Sequence, residues 1–157
     1  MKVTDEYVFF WGGVFSQWYP CTFIIDDTNF NCAEQWMMLC KAKHFKDVDT
    51  AVKIMMAEDP YRQKMLGRSV KKFKINIWNN VAIDYVVSGN VAKFGQNPIL
   101  LKHLLETENK IIVEASPNDR IWGIGLGEDD PKALDPTLWQ GKNWLGISLM
   151  RARDMLR

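Results

Sequence analysis

Glu34 and Lys41, an acid and a base seven positions apart, stand in the segment Asn31-Cys32-Ala33-Glu34-Gln35-Trp36-Met37-Met38-Leu39-Cys40-Lys41-Ala42-Lys43. On a helix they project in almost the same direction, roughly 10 Å apart along the axis, so the two groups could flank one small ligand. Trp36, Met37, Leu39 and Cys40 supply the apolar body of an amphipathic helix, which sets the charged stripe along a cleft. A structural use competes, because Asn31 followed three residues later by Glu34 also has the capping-box arrangement. A second acid, Asp119, lies in Ser116-Pro117-Asn118-Asp119-Arg120-Ile121-Trp122-Gly123, where a β-branched run hands over to a glycine-rich loop. Asn118-Asp119 would serve equally as an Asx-turn. Two carboxylates suit glycosidic cleavage, one handling the leaving-group proton and the other activating water or stabilising an oxocarbenium-like transition state. If the sugar is attached through nitrogen, an amine such as Lys41 could instead take the anomeric carbon as a Schiff base.

The elements that must position these groups are read from periodicity and punctuation. Tyr7-Val8-Phe9-Phe10-Trp11 is a short strand running into Gly12-Gly13. Thr22 to Phe30 forms a hairpin turning at Asp26-Asp27, and it leads straight into the Glu34 helix. A second helix covers Thr50 to Ala57, capped near Asp49. A third covers Pro60 to Leu66, with Asp59 before it and Gly67 as its stop. Arg68, Lys71, Lys72 and Lys74 follow: four cations in seven residues, either a solvated face or a phosphate contact. The longest periodic stretch, from about Asn76 to Phe94, carries Trp78, and Asn97-Pro98 restarts a helix with Leu100, Leu101, Leu104 and Leu105. Lys110 to Ala115 is a late strand expected to join the N-terminal ones. Ser116 to Gly141 is loop in texture, long enough to suggest function, and Asn143 caps a final amphipathic helix.

Composition bounds the function classes. With 157 residues, 47% hydrophobic and 25% charged, the chain fits one globular domain over residues 1–157, without repeats or linkers. A net charge of +1 gives no general pull toward nucleic acid or membrane. Cys21, Cys32 and Cys40 form no C-x-x-C pair and leave an odd thiol, which fits a reducing, cytosolic setting and no zinc site. Two histidines do not make a histidine-rich metal centre, so neither a metal nor a cofactor is expected. No leader-type segment opens the chain and no apolar run approaches the ~18 residues of a membrane span, so neither secretion nor membrane association is expected. Walker, dinucleotide-binding, H-E-x-x-H and G-x-S-x-G motifs are missing, which disfavours kinases, dehydrogenases, zinc proteases and α/β-hydrolases. Seven tryptophans suit both a core and a base-stacking surface.

A set of segments in order carries a resemblance: Phe15-Ser16-Gln17-Trp18, Ala33-Glu34-Gln35-Trp36-Met37-Met38 with Lys41-Ala42, Gly67-Arg68, Trp78, Ala92-Lys93-Phe94, Glu114 through Gly123, and Trp139-Gln140-Gly141-Lys142-Asn143-Trp144-Leu145-Gly146. Together they resemble the NADAR domain family, the YbiA-like N-glycosidases, over nearly the whole chain. The resemblance implies a mainly α (α+β) fold: a single helical domain with a small N-terminal β-hairpin and one late strand. It also implies hydrolysis of an N-glycosidic bond to a phosphorylated ribose. The implied substrates are ribosylamino-pyrimidine phosphates of riboflavin synthesis, or ADP-ribose on guanine in nucleic acid, the latter with a DNA ADP-ribosyltransferase toxin as a second partner. On the family pattern Glu34 and Asp119 correspond to essential acids and Trp78 to an essential aromatic residue. Lys41 is then the covalent amine or a phosphate and ring-oxygen contact. Trp78 or Trp122 stacks on the base, Arg68 holds phosphate, and Ser16, Asn118, Gly123 and Asn143 complete the expected substrate contacts. Gln17 and Trp18 stand where members often carry Asn and Phe, and Glu128 to Leu138 is an extended insertion, so substrate choice transfers least. The rival functions are an ADP-ribose or nucleotide-binding module without catalysis and a purely structural interaction protein.

Overall fold

In the computed structural model, which describes residues Met1–Arg157, five strands and six α-helices follow one another along the chain in the order β1 (Lys2–Val3), β2 (Tyr7–Phe10), β3 (Phe23–Ile25), β4 (Thr28–Phe30), α1 (Ala33–His44), α2 (Val48–Met56), α3 (Pro60–Arg68), α4 (Ile75–Gly95), α5 (Pro98–Leu105), β5 (Ile111–Glu114) and α6 (Trp144–Leu156). This is the expected mainly α fold with few, short strands. The chain forms two compact units: Met1–Ser16 with Pro98–Arg157, and Gln17–Asn97.

In the first unit β2 is the middle strand of three. It pairs antiparallel with β1 and parallel with β5, Tyr7 opposite Ile111 and Phe10 opposite Glu114. The late strand thus joins the N-terminal one, as its β-branched composition suggested. All four residues of β2 are buried, the pattern of a strand covered on both faces. Tyr7, Phe9, Val113, Ala115, Ile124, Leu126 and Ala133 form the core there, with Trp139 packed against it. Helix α6 lies on β5, and Gly146 is what allows it: a Cβ at that position would run into the Ile112 carbonyl. Asn143 does precede α6, but its side chain does not cap the helix. It adopts φ 53°, and its amide donates to Ile112 O and accepts from Glu114 N, each at 3.0 Å. The expected cap is instead a clasp on the backbone of β5. The long loop is not slack. Ile124 N donates to Glu114 O, Gln140 N to Ile124 O and Asn143 N to Gly123 O, and two 3₁₀ turns at Pro131–Leu134 and Pro136–Leu138 are capped by Asp130 and Asp135.

In the second unit the β3–β4 hairpin turns at Asp26 and Asp27, both left-handed at φ 49° and 60°, a conformation that short acidic side chains tolerate. Phe23 and Phe30 stack across it, and Trp36 meets Phe30 edge-on. Gln96 at the end of α4 accepts from Ile24 N and donates to Ile24 O, so a side-chain amide stands in for a further strand. Helix α1 is central, packing on α2, α3 and α4. Two expected boundaries shift. α2 begins at Val48 with Asp47, not Asp49, as its cap, and Gly67 lies inside α3, pressed against Met38, rather than ending the helix.

Candidate active site

The capping use of Glu34 is not what the fold adopts. α1 begins after Cys32, and the side chain that reaches back to the Asn31 amide is Gln35, at 2.9 Å. The Asn31 side chain is taken by Gln63 and the Glu58 carbonyl. The Glu34 amide donates to Gln17 O at 2.9 Å, while its carboxylate-bearing side chain is 4% exposed. Burying an acid is costly unless it is paired or used, which sets Glu34 apart from the surface acids of the chain.

Lys41, two turns on, is half-buried, with its ammonium group 4.3 Å from the Phe73 ring centroid. Burial lowers its pKa; the Glu34 charge opposes that shift and the Arg68 charge adds to it. Glu34, Lys41 and Arg68 therefore share one electrostatic neighbourhood. A desolvated lysine offers more free amine at neutral pH than an exposed one, the state a nucleophilic or proton-accepting amine needs.

Trp78 is buried on α4 and stacks on Tyr85 at 5.9 Å and 21°, so one of its faces is already occupied. Tyr85 in turn has its hydroxyl 3.0 Å from His44 Nδ1, and its carbonyl accepts from Trp36 Nε1 at 2.7 Å. Phe73, Tyr85 and His44 were not among the expected site residues. Tyr85 follows Trp78 by two helical turns, and that spacing alone was the signal. Lys93, in the Ala92-Lys93-Phe94 segment, was not among the expected site residues either. It is fully buried, and burial brings its pKa down to about 8, with the Cys21 and Cys32 thiols opposing the shift. The thiols are poor nucleophiles here, because burial pushes Cys32 up to about 11 and Cys40 up to about 12.

The other expected site residues belong to the first unit. Asp119 Oδ1 accepts from the amides of Ile121 at 2.9 Å and Trp122 at 2.8 Å, so the Asx-turn is realised with one of its two oxygens. Asn118 is exposed beside it. Trp122 is half-buried and meets Trp144 edge-on at 5.6 Å. Gly123 is buried with backbone on two sides, since an added Cβ would lie 3.0 Å from both Asp119 O and Glu114 O, and Ser16 closes a turn on Gly13 O at 3.0 Å. The Asn143 amide has both of its ends committed to β5. No group of three or more metal-binding side chains is present.

A mainly helical fold with short strands carries a buried acid and a desolvated lysine on one face of α1, and the chain belongs to the NADAR family, whose domain matches residues 9–157. It is 44% identical to N-glycosidase R617 of Acanthamoeba polyphaga mimivirus, the match covering 96% of each protein. It is 28% identical to a riboflavin biosynthesis protein of Vibrio vulnificus, over 92% of this chain and 36% of that one. The solved structure of the E. coli protein YbiA superposes with a TM-score of 0.78 at 26% identity, covering 99% of this chain and 87% of that one.

Proposed function

We propose that the chain is an N-glycosidase that cleaves the bond between a base or amine and a phosphorylated ribose, with Glu34 and Lys41 carrying the chemistry. The observation that supports this most is the buried Glu34 on the same face of α1 as a lysine whose pKa is lowered by burial. In this scheme Glu34 supplies the proton to the departing nitrogen and stabilises positive charge developing at the anomeric carbon. The Lys41 amine attacks that carbon as the bond to the base breaks; the sugar ring opens to a Schiff base, and water then releases the sugar and restores the amine. Arg68, exposed at the end of α3, is the phosphate contact. Trp78 keeps the base-stacking role and Asp119 that of the second acid, its Oδ2 left over from the turn. The three unpaired cysteines support a reducing, cytosolic setting.

The name of the riboflavin biosynthesis relative supports a ribosylamino-pyrimidine phosphate as substrate, while ADP-ribose on guanine is the substrate that the family resemblance implies. Purified protein is to be incubated side by side with a ribosylamino-pyrimidine phosphate and with an ADP-ribosylated guanine oligonucleotide, and released base followed by chromatography. Release from one of the two assigns the substrate. Tight ADP-ribose binding in calorimetry with no release from either would replace the enzyme by a binding module.

A further inference from the structure

We propose that a cavity between α1 and α2, on the far side of α1 from Glu34 and Lys41, binds a small amphiphilic monoanion, a molecule with an apolar body and one carboxylate or sulfonate head. The cavity measures about 480 Å³, within the range of sites that hold one small organic ligand. Leu39, Ala51, Val52 and Met55 give it an apolar wall, and Lys43 and Lys46 line it as well. Leu39 and Lys43 lie about 140° and 180° around α1 from Glu34, so this cavity is separate from the candidate active site.

Val48 and Val52, one turn apart on α2, also line it, and they remain 71% and 53% exposed. Neighbouring β-branched side chains left in water beside a concave surface form an apolar patch that an apolar ligand body would cover. Charge sets the other half of the ligand. Neither Lys43 nor Lys46 is ion-paired. The acid beside them, Asp47, has its oxygens engaged: Oδ1 accepts from Thr50 N at 3.1 Å, and Oδ2 from Thr50 Oγ1 at 2.7 Å and Lys71 N at 2.9 Å. Two unpartnered ammonium groups over an apolar wall match an anionic head on an apolar body; a neutral amphiphile or a bare anion would satisfy only one of the two.

Fluorescence titration of the 157-residue chain with 8-anilinonaphthalene-1-sulfonate, with dodecanoate and dodecanol as competitors, tests this. One saturable site is expected, with dodecanoate displacing the probe about tenfold or more better than dodecanol. The double variant Lys43→Gln/Lys46→Gln should weaken probe binding about tenfold or more, and Val52→Glu, which adds a negative charge at an exposed position, should abolish it, both with melting temperatures near that of the parent. Absence of saturable binding, equal displacement by acid and alcohol, or unchanged affinity in both variants overturns the proposal. A double variant that melts lower yet binds as before also overturns it, since the two lysines would then serve only the C-terminal dipole of α1.

Discussion

At the scale of single residues, the account turns on what Glu34 and Lys41 do. If Lys41 is the nucleophile, borohydride added during turnover should trap a sugar adduct on the protein, located by peptide mass at Lys41. Lys41→Arg, which keeps the positive charge but offers no nucleophile, should form no adduct and lose turnover; an active Lys41→Arg variant would reduce Lys41 to an electrostatic contact. The pH dependence has a definite sign. Burial lowers the Lys41 pKa, so the amine-dependent step should rise with pH through that lowered value and level off below the range where an ordinary lysine titrates. A rate that falls as pH rises through the range would contradict it. Asp119→Asn separates turn from chemistry, because an amide oxygen can still accept from Ile121 and Trp122: turnover should fall while the melting temperature holds. That Glu34 and Lys41 share one face of a helix was legible from spacing, since two turns align them; the use of the Glu34 side chain was not, because the same spacing fits a capping box. Tyr85, His44 and Lys93 were not legible either, because Tyr85 and His44 come together only when α4 packs on α1, and a lysine near the end of a helix looks like a surface residue until the packing around it is known.

At the scale of elements, stability predictions follow from caps and close approaches. Asp47 is held down to about 2 by the Lys71 amide, the Thr50 hydroxyl and the Thr50 amide. A carboxylate depressed in this way stabilises the fold fully above its unfolded value of 3.8, and the contribution is lost as pH falls toward about 2. Asp47→Ala should accordingly lower the melting temperature at neutral pH, with the gap to the parent narrowing in acid; a gap independent of pH would mean the acid acts only by shape. Gly146→Ala, forced against the Ile112 carbonyl, should cost roughly 1–3 kcal/mol in a urea melt, and parent-like stability would show that α6 can slide off β5. The β3–β4 hairpin was legible down to its turn, because Asp26-Asp27 sits between two β-branched or aromatic runs. The start of α2 was not, since Asp47 and Asp49 are both good caps and spacing does not rank them. β1 was invisible because two residues carry no period, and Gly67 was misjudged because a stop signal and a close helix contact call for the same residue.

At the scale of the whole molecule, the first unit is built from both ends of the sequence, and β2 from the N-terminal segment lies between β1 and β5. Amide exchange within that unit should therefore be slowest in Val8 to Phe10 and Ile112 to Val113, the strand residues buried in its core; fast exchange there would contradict the strand order. The family match from residue 9 onward takes in segments of both units, and no helix is long and apolar enough to cross a membrane. The most direct measurement is single-turnover release of base by the parent and by Glu34→Gln, with thermal melts of both, on whichever phosphorylated ribosyl substrate the parent cleaves. The predicted result is a loss of about 10²–10⁴-fold in rate, the range for removing a general acid, with the melting temperature nearly unchanged. A Glu34→Gln variant that releases base at the parent's rate would contradict the central claim that this buried acid drives cleavage.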